Sequence, residues 1–378
     1  MSKKKKVIFY YPQHFNRSDK GTNPFFEPLI KICQNNNIDY LLLEEPDDKT
    51  SFPKNPEASR FNIFRVIVLR KLLPLLFFKN FESREQFIGV LVRLLTFKKY
   101  KANTIITISN PLGGFWRGYN SHSRIIDYQH GIINKTQPGF FENGKAPLHI
   151  SYNEKEVAVW GEGFLNVFNQ DGSYYKNKVH ALGYFKAPSV SSSKAEMHNR
   201  NAIIFTLQFL PDQGDQRNHE MFEELKLALE QFKNLDSEEQ PKIILKHHPR
   251  HNNCIDLNPL SVRFDYVSVL ADGESFKSEN CLINVTFYST TAFDLAADGI
   301  PSYFLYTESV PNGKTDFLED YKYPILQEHS LIELWQTYKN NRQTWLEHSH
   351  LVRLWSSRFF QPLNQECFLD LVSATKDV

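Results

Sequence analysis

Short apolar runs bounded by turn-forming residues alternate along this chain with longer segments of helical period, and this alternation constrains the fold more than any other feature. A run apolar on both faces suits a strand buried between layers, and the periodic segment after it suits a crossover helix, so the pattern reads as parallel sheets. The first half offers strands at Val7–Tyr11, Tyr40–Leu43, Thr104–Ile108, Arg124–Tyr128 and Ala158–Trp160, with helices near Pro24–Gln34 and across Asn62–Lys99. The second half offers strands at Ala202–Thr206, Lys242–Lys246, Cys281–Val285 and Ser302–Leu305, with helices at His219–Lys233 and Thr291–Asp298. Each half is α/β, and 378 residues suffice for two such domains. The Ser-rich stretch Ala187–Lys194 lacks apolar periodicity and reads as a linker. The expected division is a Rossmann-like domain at 1–186, a linker at 187–200, a second Rossmann-like domain at 201–345 and terminal helices at 346–378 carrying Trp355. Two such domains are expected to face each other across a cleft.

Several classes are excluded early. Lys and Arg number 44 against 43 Asp and Glu, which argues against a nucleic-acid binder. Cys33, Cys254, Cys281 and Cys367 form no close pair, so neither a disulfide framework nor a zinc ribbon is expected, and a reducing compartment fits. The basic start Met1–Lys6 leads into an apolar run too short for a secretory signal core. The most apolar stretch, Phe61–Phe78, contains Arg65, Arg70, Lys71 and Pro74, so it does not read as a membrane span.

Open α/β sheets bind ligands beyond the carboxyl ends of their strands, so candidate residues are sought there. The strand Arg124–Tyr128 carries Asp127 and runs into Gln129-His130-Gly131, placing an imidazole at the edge as a candidate base and a glycine that permits a sharp turn or close ligand approach. The strand Lys242–Lys246 runs into His247-His248-Pro249-Arg250, where Lys246, His248 and Arg250 suit phosphate; a solvated loop is the alternative. A metal site using His247 and His251 would need a helix that Pro249 opposes. Ser289, Thr290 and Thr291 open a helix whose free N–H groups suit phosphate, although ordinary capping would need only one of them. Thr206 and Gln208 follow the first strand of the second half, and Asp212 and Asp215 in the next turn are candidate carboxylates for catalysis or simple turn formers.

Together, Gln129-His130-Gly131, Lys246-x-His248-Pro249 and Tyr288-Ser289-Thr290-Thr291-x-Phe293-Asp294 resemble bacterial GT-B glycosyltransferases of capsule, lipopolysaccharide and teichoic-acid assembly. That group includes polysialyltransferases, Kdo transferases and CDP-glycerol glycerophosphotransferases. The resemblance implies a metal-independent transferase with no cofactor beyond its nucleotide-sugar co-substrate. It places the donor nucleotide at Lys246, His248, Pro249, Arg250, Ser289, Thr290, Thr291, Thr206 and Gln208, and the acceptor near Gln129, His130 and Gly131. Gln-His-Gly-Ile stands where the glycerophosphotransferase branch usually has a His-Gly-Thr sequence, so the transferred group is expected to be a sugar, CMP-activated as for Kdo or sialic acid. The acceptor is expected to be a hydroxyl of a surface glycan, free or lipid-linked. A glycerophosphotransferase, a hydrolysing sugar-nucleotide epimerase and a non-catalytic assembly scaffold are the alternatives. His130 would serve an inverting reaction; Asp127, Asp212 or Asp215 would matter more in a retaining one.

The balanced charge conceals an asymmetry. Residues 1–150 hold 23 basic and 12 acidic residues, a net +11, whereas residues 151–378 hold 21 and 31, a net −10. Within Arg60–Lys101, ten basic residues interleave with Phe, Leu, Ile and Val against only Glu82 and Glu85. Such helices suit an anionic membrane surface, and cations snorkelling over a core face are the alternative. The expected location is the bacterial cytoplasm, peripheral on the inner face of the cytoplasmic membrane.

Overall fold

The computed structural model describes residues 5–18, 20–47, 52–96, 99–109, 112–135, 137, 139–149, 155–168, 172–185, 200–248, 251, 254–272, 274 and 276–373. The chain divides into two compact units, one formed by 1–187 together with 360–378 and the other by 188–359. Most of the expected linker, 187–200, lies outside the described residues.

In the first unit the elements run β1 (Lys5–Pro12), α1 (Glu27–Asn35), β2 (Tyr40–Glu45), β3 (Ser59–Arg60), α2 (Phe64–Leu72), α3 (Phe81–Leu95), β4 (Ala102–Thr107), α4 (Gly113–Tyr119), β5 (Arg124–Tyr128), β6 (Glu156–Val159), α5 (Glu162–Phe168) and β7 (Val179–Ala181). All seven strands are parallel, in the order β3-β2-β1-β4-β5-β6-β7. The apolar runs become central strands because both faces are covered: Val7 to Tyr11 are all fully buried. The helical stretch expected across 62–99 is broken at Pro74, which cannot donate a helical hydrogen bond. Close contact between α3 and α4 depends on glycine, since a Cβ on Gly118 would sit 1.9 Å from the Gln86 carbonyl oxygen.

The second unit runs β8 (Ala202–Thr206), α6 (Asp215–Glu230), β9 (Lys242–Lys246), α7 (Asn258–Arg263), β10 (Val267–Val269), β11 (Cys281–Thr286), α8 (Thr291–Ala297), β12 (Ser302–Phe304), a π-helical stretch at Gly313–Asp320, α9 (Leu331–Asn340) and α10 (Arg342–Phe359). Its parallel sheet has the order β10-β9-β8-β11-β12. Both sheets therefore reverse direction of strand addition once, between β1 and β4 and between β8 and β11.

The tryptophans of the terminal helices pin them to the second unit. Trp335 Nε1 donates to the Glu239 carbonyl (3.0 Å), Trp345 Nε1 to that of Leu282 (3.1 Å) and Trp355 Nε1 to that of Tyr321 (2.8 Å). Trp355 also stacks on Phe293 of α8, with ring centroids 4.7 Å apart. The final segment does not remain there. From Phe360 the chain belongs to the first unit, where α11 (Gln365–Ser373) is anchored by Arg124 Nη1 donating to the Leu371 carbonyl (3.0 Å). Phe360 stacks on Tyr184 at 4.2 Å, and a Cβ on Gly183 would meet the Pro362 carbonyl at 2.4 Å.

Candidate functional site

The carboxyl edge of the first sheet gathers the segments that follow β1, β2 and β5. Gln129 continues the ladder through its N–H to the Ala158 carbonyl (2.9 Å), and its side chain and carbonyl accept from the backbone N–H and indole of Trp160 (both 2.8 Å). Gln129 Nε2 also donates to the Gly131 carbonyl (2.9 Å), so the turn that presents His130 is held from both sides. Gln129 is thus buried scaffolding. Gly131 lies outside the positive-φ region, so the turn does not require glycine; a Cβ there would meet nothing within 4 Å, and open space is what the residue leaves.

His130 presents an exposed ring, and Phe15 lies edge-on to it at 5.6 Å. Crowding by protein atoms is the largest influence on its titration and lowers its pKa; Asp127 opposes this, while Lys155, Arg17 and His14 reinforce it. The imidazole is therefore neutral at pH 7 and able to accept a proton. Asp127 is differently placed. It pairs with Lys155, both are almost wholly buried, and its Oδ1 finds no hydrogen-bond partner among the described residues. A carboxylate held this way acts through its field on His130 more readily than as a base itself.

Sequence reasoning passed over Lys155 and the segment after β1. His14 Nδ1 lies 3.3 Å from Asp47 Oδ2, which follows β2, and the Arg17 guanidinium lies 5.0 Å from the centre of the Phe15 ring. The strand-end rule that singled out His130 applies equally to His14, two residues beyond Pro12. After β4, the strand paired with β1, Ser109 holds a left-handed φ of 49°, a strained geometry for a side-chain-bearing residue.

At the second sheet's edge the point of reversal between β8 and β11 is filled by uncharged groups. Thr286 Oγ1 donates to the Thr206 carbonyl (2.7 Å) and accepts from the Ser289 N–H (3.2 Å). Gln208 accepts from the Tyr288 N–H (3.2 Å) and donates to the same Thr206 carbonyl (2.6 Å). Thr206 Oγ1 donates to Asn284, which donates onward to Ser302 Oγ (3.0 and 2.9 Å). Thr206 and Gln208 are buried within this network, so they hold the strand ends rather than offering hydroxyl and amide to a ligand.

The three hydroxyls at the start of α8 are not equivalent. Ser289 Oγ accepts from the Thr291 N–H (3.2 Å) and donates to Thr291 Oγ1 (2.9 Å), which is capping, whereas Thr290 makes no side-chain cap bond. Thr290 and Thr291 remain partly exposed. At the end of β9, Lys246 and, beyond it, His248 are half-buried, and the Lys246 ammonium lies 5.0 Å from the centre of the Phe276 ring. Pro249 and Arg250 lie outside the described residues. His247 and His251 stack at 4.2 Å, with His251 Nε2 3.0 Å from Asp272 Oδ1. No group of three His, Cys, Asp or Glu able to hold a metal ion occurs among the described residues. Asp212 and Asp215 are exposed, Asp215 opening α6 where a carboxylate complements the helix terminus.

No protein-family profile and no curated protein sequence matches this chain. Among solved structures, the UDP-GlcNAc 2-epimerase of Neisseria meningitidis bound to UDP-GlcNAc is similar with a TM-score of 0.52 and 9% identity, over 97% of this chain and 99% of that one. The lipopolysaccharide outer core galactosyltransferase WaaB in its apo form is similar with a TM-score of 0.51 and 11% identity, again over 97% and 99%. The wall teichoic acid polymerase TagF follows at 0.47 and 13% identity, over 97% of this chain and 87% of that one. Identities this low bear on fold alone, and the fold is α/β with two Rossmann-like units of the GT-B kind.

Proposed function

We propose that the chain is a glycosyltransferase that moves a sugar from a nucleotide-activated donor to a hydroxyl of a bacterial surface glycan, with a CMP-sugar as the favoured donor. The observation that carries the reading is His130, a neutral imidazole presented at the carboxyl edge of a parallel sheet. WaaB, with the same fold, is by its name a galactosyltransferase of the lipopolysaccharide outer core. In the proposed reaction a nitrogen of His130 takes the acceptor proton as the acceptor oxygen bonds to the anomeric carbon. The bond from that carbon to the donor phosphate oxygen breaks, and the nucleotide departs with the electron pair.

The second unit would hold the donor. Its fixed dipoles at the β8 and β11 ends need no rearrangement as charge grows on the leaving phosphate, and Lys246, with Arg250 beyond it, would supply positive charge in place of a metal. His248, Thr290 and Thr291 would contact the nucleotide. The test is a thermal-shift panel of CMP, CDP, UDP, GDP and their sugars: a selective ligand at a hundred times its Kd adds about 2.7 kcal/mol of stability. If none raises the melting temperature, the reading fails. A rise that His248→Ala abolishes supports the donor assignment.

A second reading deserves the same panel because the Neisseria structure, equally similar in fold, is a 2-epimerase bound to UDP-GlcNAc. An epimerase of the hydrolysing type needs no acceptor. Release of epimerised free sugar from UDP-sugar alone would replace the transferase reading.

A further inference from the structure

Nineteen large apolar residues are exposed among the described residues, and eleven of them fall within Phe64–Leu95. They are Phe64, Ile67 and Leu72 on α2, Leu75, Leu76 and Phe77 in the connecting turn, and Phe81, Phe87, Val90, Leu94 and Leu95 on α3. The nine residues of α2 bury only Val66. Leu76 and Phe77, next to each other in a 3-10 turn behind Pro74, are 78% and 71% exposed. Concentration on this scale marks an interaction surface.

Charge identifies what would cover it. The two acids that interrupt the basic sequence are turned inward: Glu82 and Glu85 are both buried, and Glu85 is neutralised by Arg70, whose Nε and Nη2 donate at 3.0 and 2.7 Å, with Arg84 also beside it. Arg60, Arg65, Lys71, Lys79, Lys99 and Lys101 remain exposed. The outward surface of this stretch is therefore apolar and cationic, with no exposed anion between residues 60 and 95. A cavity of about 230 Å³ opens beside the C-terminal end of α3, lined by Arg93, Lys101, His122 and Ser123 among others and by no carboxylate. None of the helices among the described residues is long and apolar enough to cross a membrane.

We infer that the α2–α3 hairpin is a docking surface for an anionic lipid bilayer. Leu75, Leu76 and Phe77 enter the interface as a wedge, the exposed lysines and arginines meet the headgroups, and the cavity at the base of α3 accepts a headgroup phosphate. The braces that keep the hairpin rigid support this: Arg70 ties α2 to α3, and the Asn80–Ser83 capping box fixes the start of α3. The inference holds whatever group the two units transfer.

Vesicle co-sedimentation with the full chain tests it, using phosphatidylcholine alone and phosphatidylcholine with 30–40% phosphatidylglycerol (roughly the anionic content that sustains a surface potential of tens of millivolts). Binding is expected to the anionic vesicles at low salt and to fall steeply as salt is raised. The double variant Leu76→Ser, Phe77→Ser should bind at least about tenfold more weakly from the lost apolar contact. Lys71→Gln with Lys79→Gln should weaken binding about fivefold per charge. Val262→Ser, an exposed apolar site in the other unit, should change nothing. Equal binding to both vesicle types, or wild-type binding by both double variants, overturns the inference. So does a concentration-dependent dimer that the serine variant dissociates, because the surface would then belong to a second copy. Should the serine variant melt at a lower temperature, the glutamine variant and the salt dependence still decide.

Discussion

The two sheets share a strand order and a point of reversal, yet the ends of β1 and β5 in the first and of β8 and β11 in the second are built from opposite materials. The first carries ionisable and aromatic groups: His14, Arg17 and Asp47 around Phe15, and His130 beside the buried pair Asp127 and Lys155. The second carries hydroxyls and amides at the ends of β8 and β11, from Thr206 and Gln208 to Thr286 and Ser289, buried and mutually hydrogen-bonded, and keeps its ionisable groups, Lys246, His248 and the stacked His247 and His251, at the end of β9. Titratable groups can accept or release a proton; locked dipoles can only present a fixed field. Under the proposed function, the difference assigns proton transfer to the first unit and recognition of the donor to the second.

The sharpest way to break this contrast is at His130. His130→Ala should lower turnover about 10²–10⁴-fold and leave nucleotide-induced thermal stabilisation intact; wild-type turnover would remove the proton acceptor from this edge. Next in size is the buried pair. Lys155→Met strands the Asp127 carboxylate and should cost about 3–5 kcal/mol in denaturant unfolding, and adding Asp127→Asn should restore much of it. If the single variant is as stable as wild type, the pair is not electrostatically coupled.

At the second edge, Thr286→Val removes the acceptor of the buried Ser289 N–H, whereas the Thr206 carbonyl keeps Gln208. A loss of about 1–3 kcal/mol is expected, together with weaker nucleotide binding. Unchanged binding at lowered stability would make the network purely structural. The smallest effect concerns pH. His130 has its pKa lowered, so the acid limb of kcat/KM should lie below pH 6.5, with activity lost as protonation begins. Arg17 contributes to that lowering, so Arg17→Ala should move the limb to higher pH. A limb that stays put would detach Arg17 from the site.

Most of the sheet framework could be read from the chain because each central strand is built on a short apolar run, and β5, β8 and β9 begin and end where the residues suggest. The strands that escaped are β3, β7 and β10, two or three residues each, too short to show a period and held in place by their neighbours, and the short helices α4, α5 and α7 escaped with them. The candidate site was half legible. His130 follows a recognisable strand, but Lys155 meets Asp127 across 28 residues of sequence, and a lysine in an unremarkable polar stretch carries no signal of burial. The inward turn of Glu82 and Glu85 was equally hidden: along the chain they dilute the basic run, and in the fold they leave its surface undiluted.

The return of Phe360–Ser373 to the first unit has a consequence for biosynthesis. The N-terminal unit is completed last, since Phe360 and α11, which cover Trp160, Tyr184 and Arg124, are made only after the whole of the second unit. Vectorial folding, in which the earlier domain finishes first, is unavailable to this chain. The second unit can close as soon as α10 emerges, whereas the first waits with Gly183 and Trp160 uncovered. A stop codon at Phe360 would therefore damage the unit encoded at the other end of the gene.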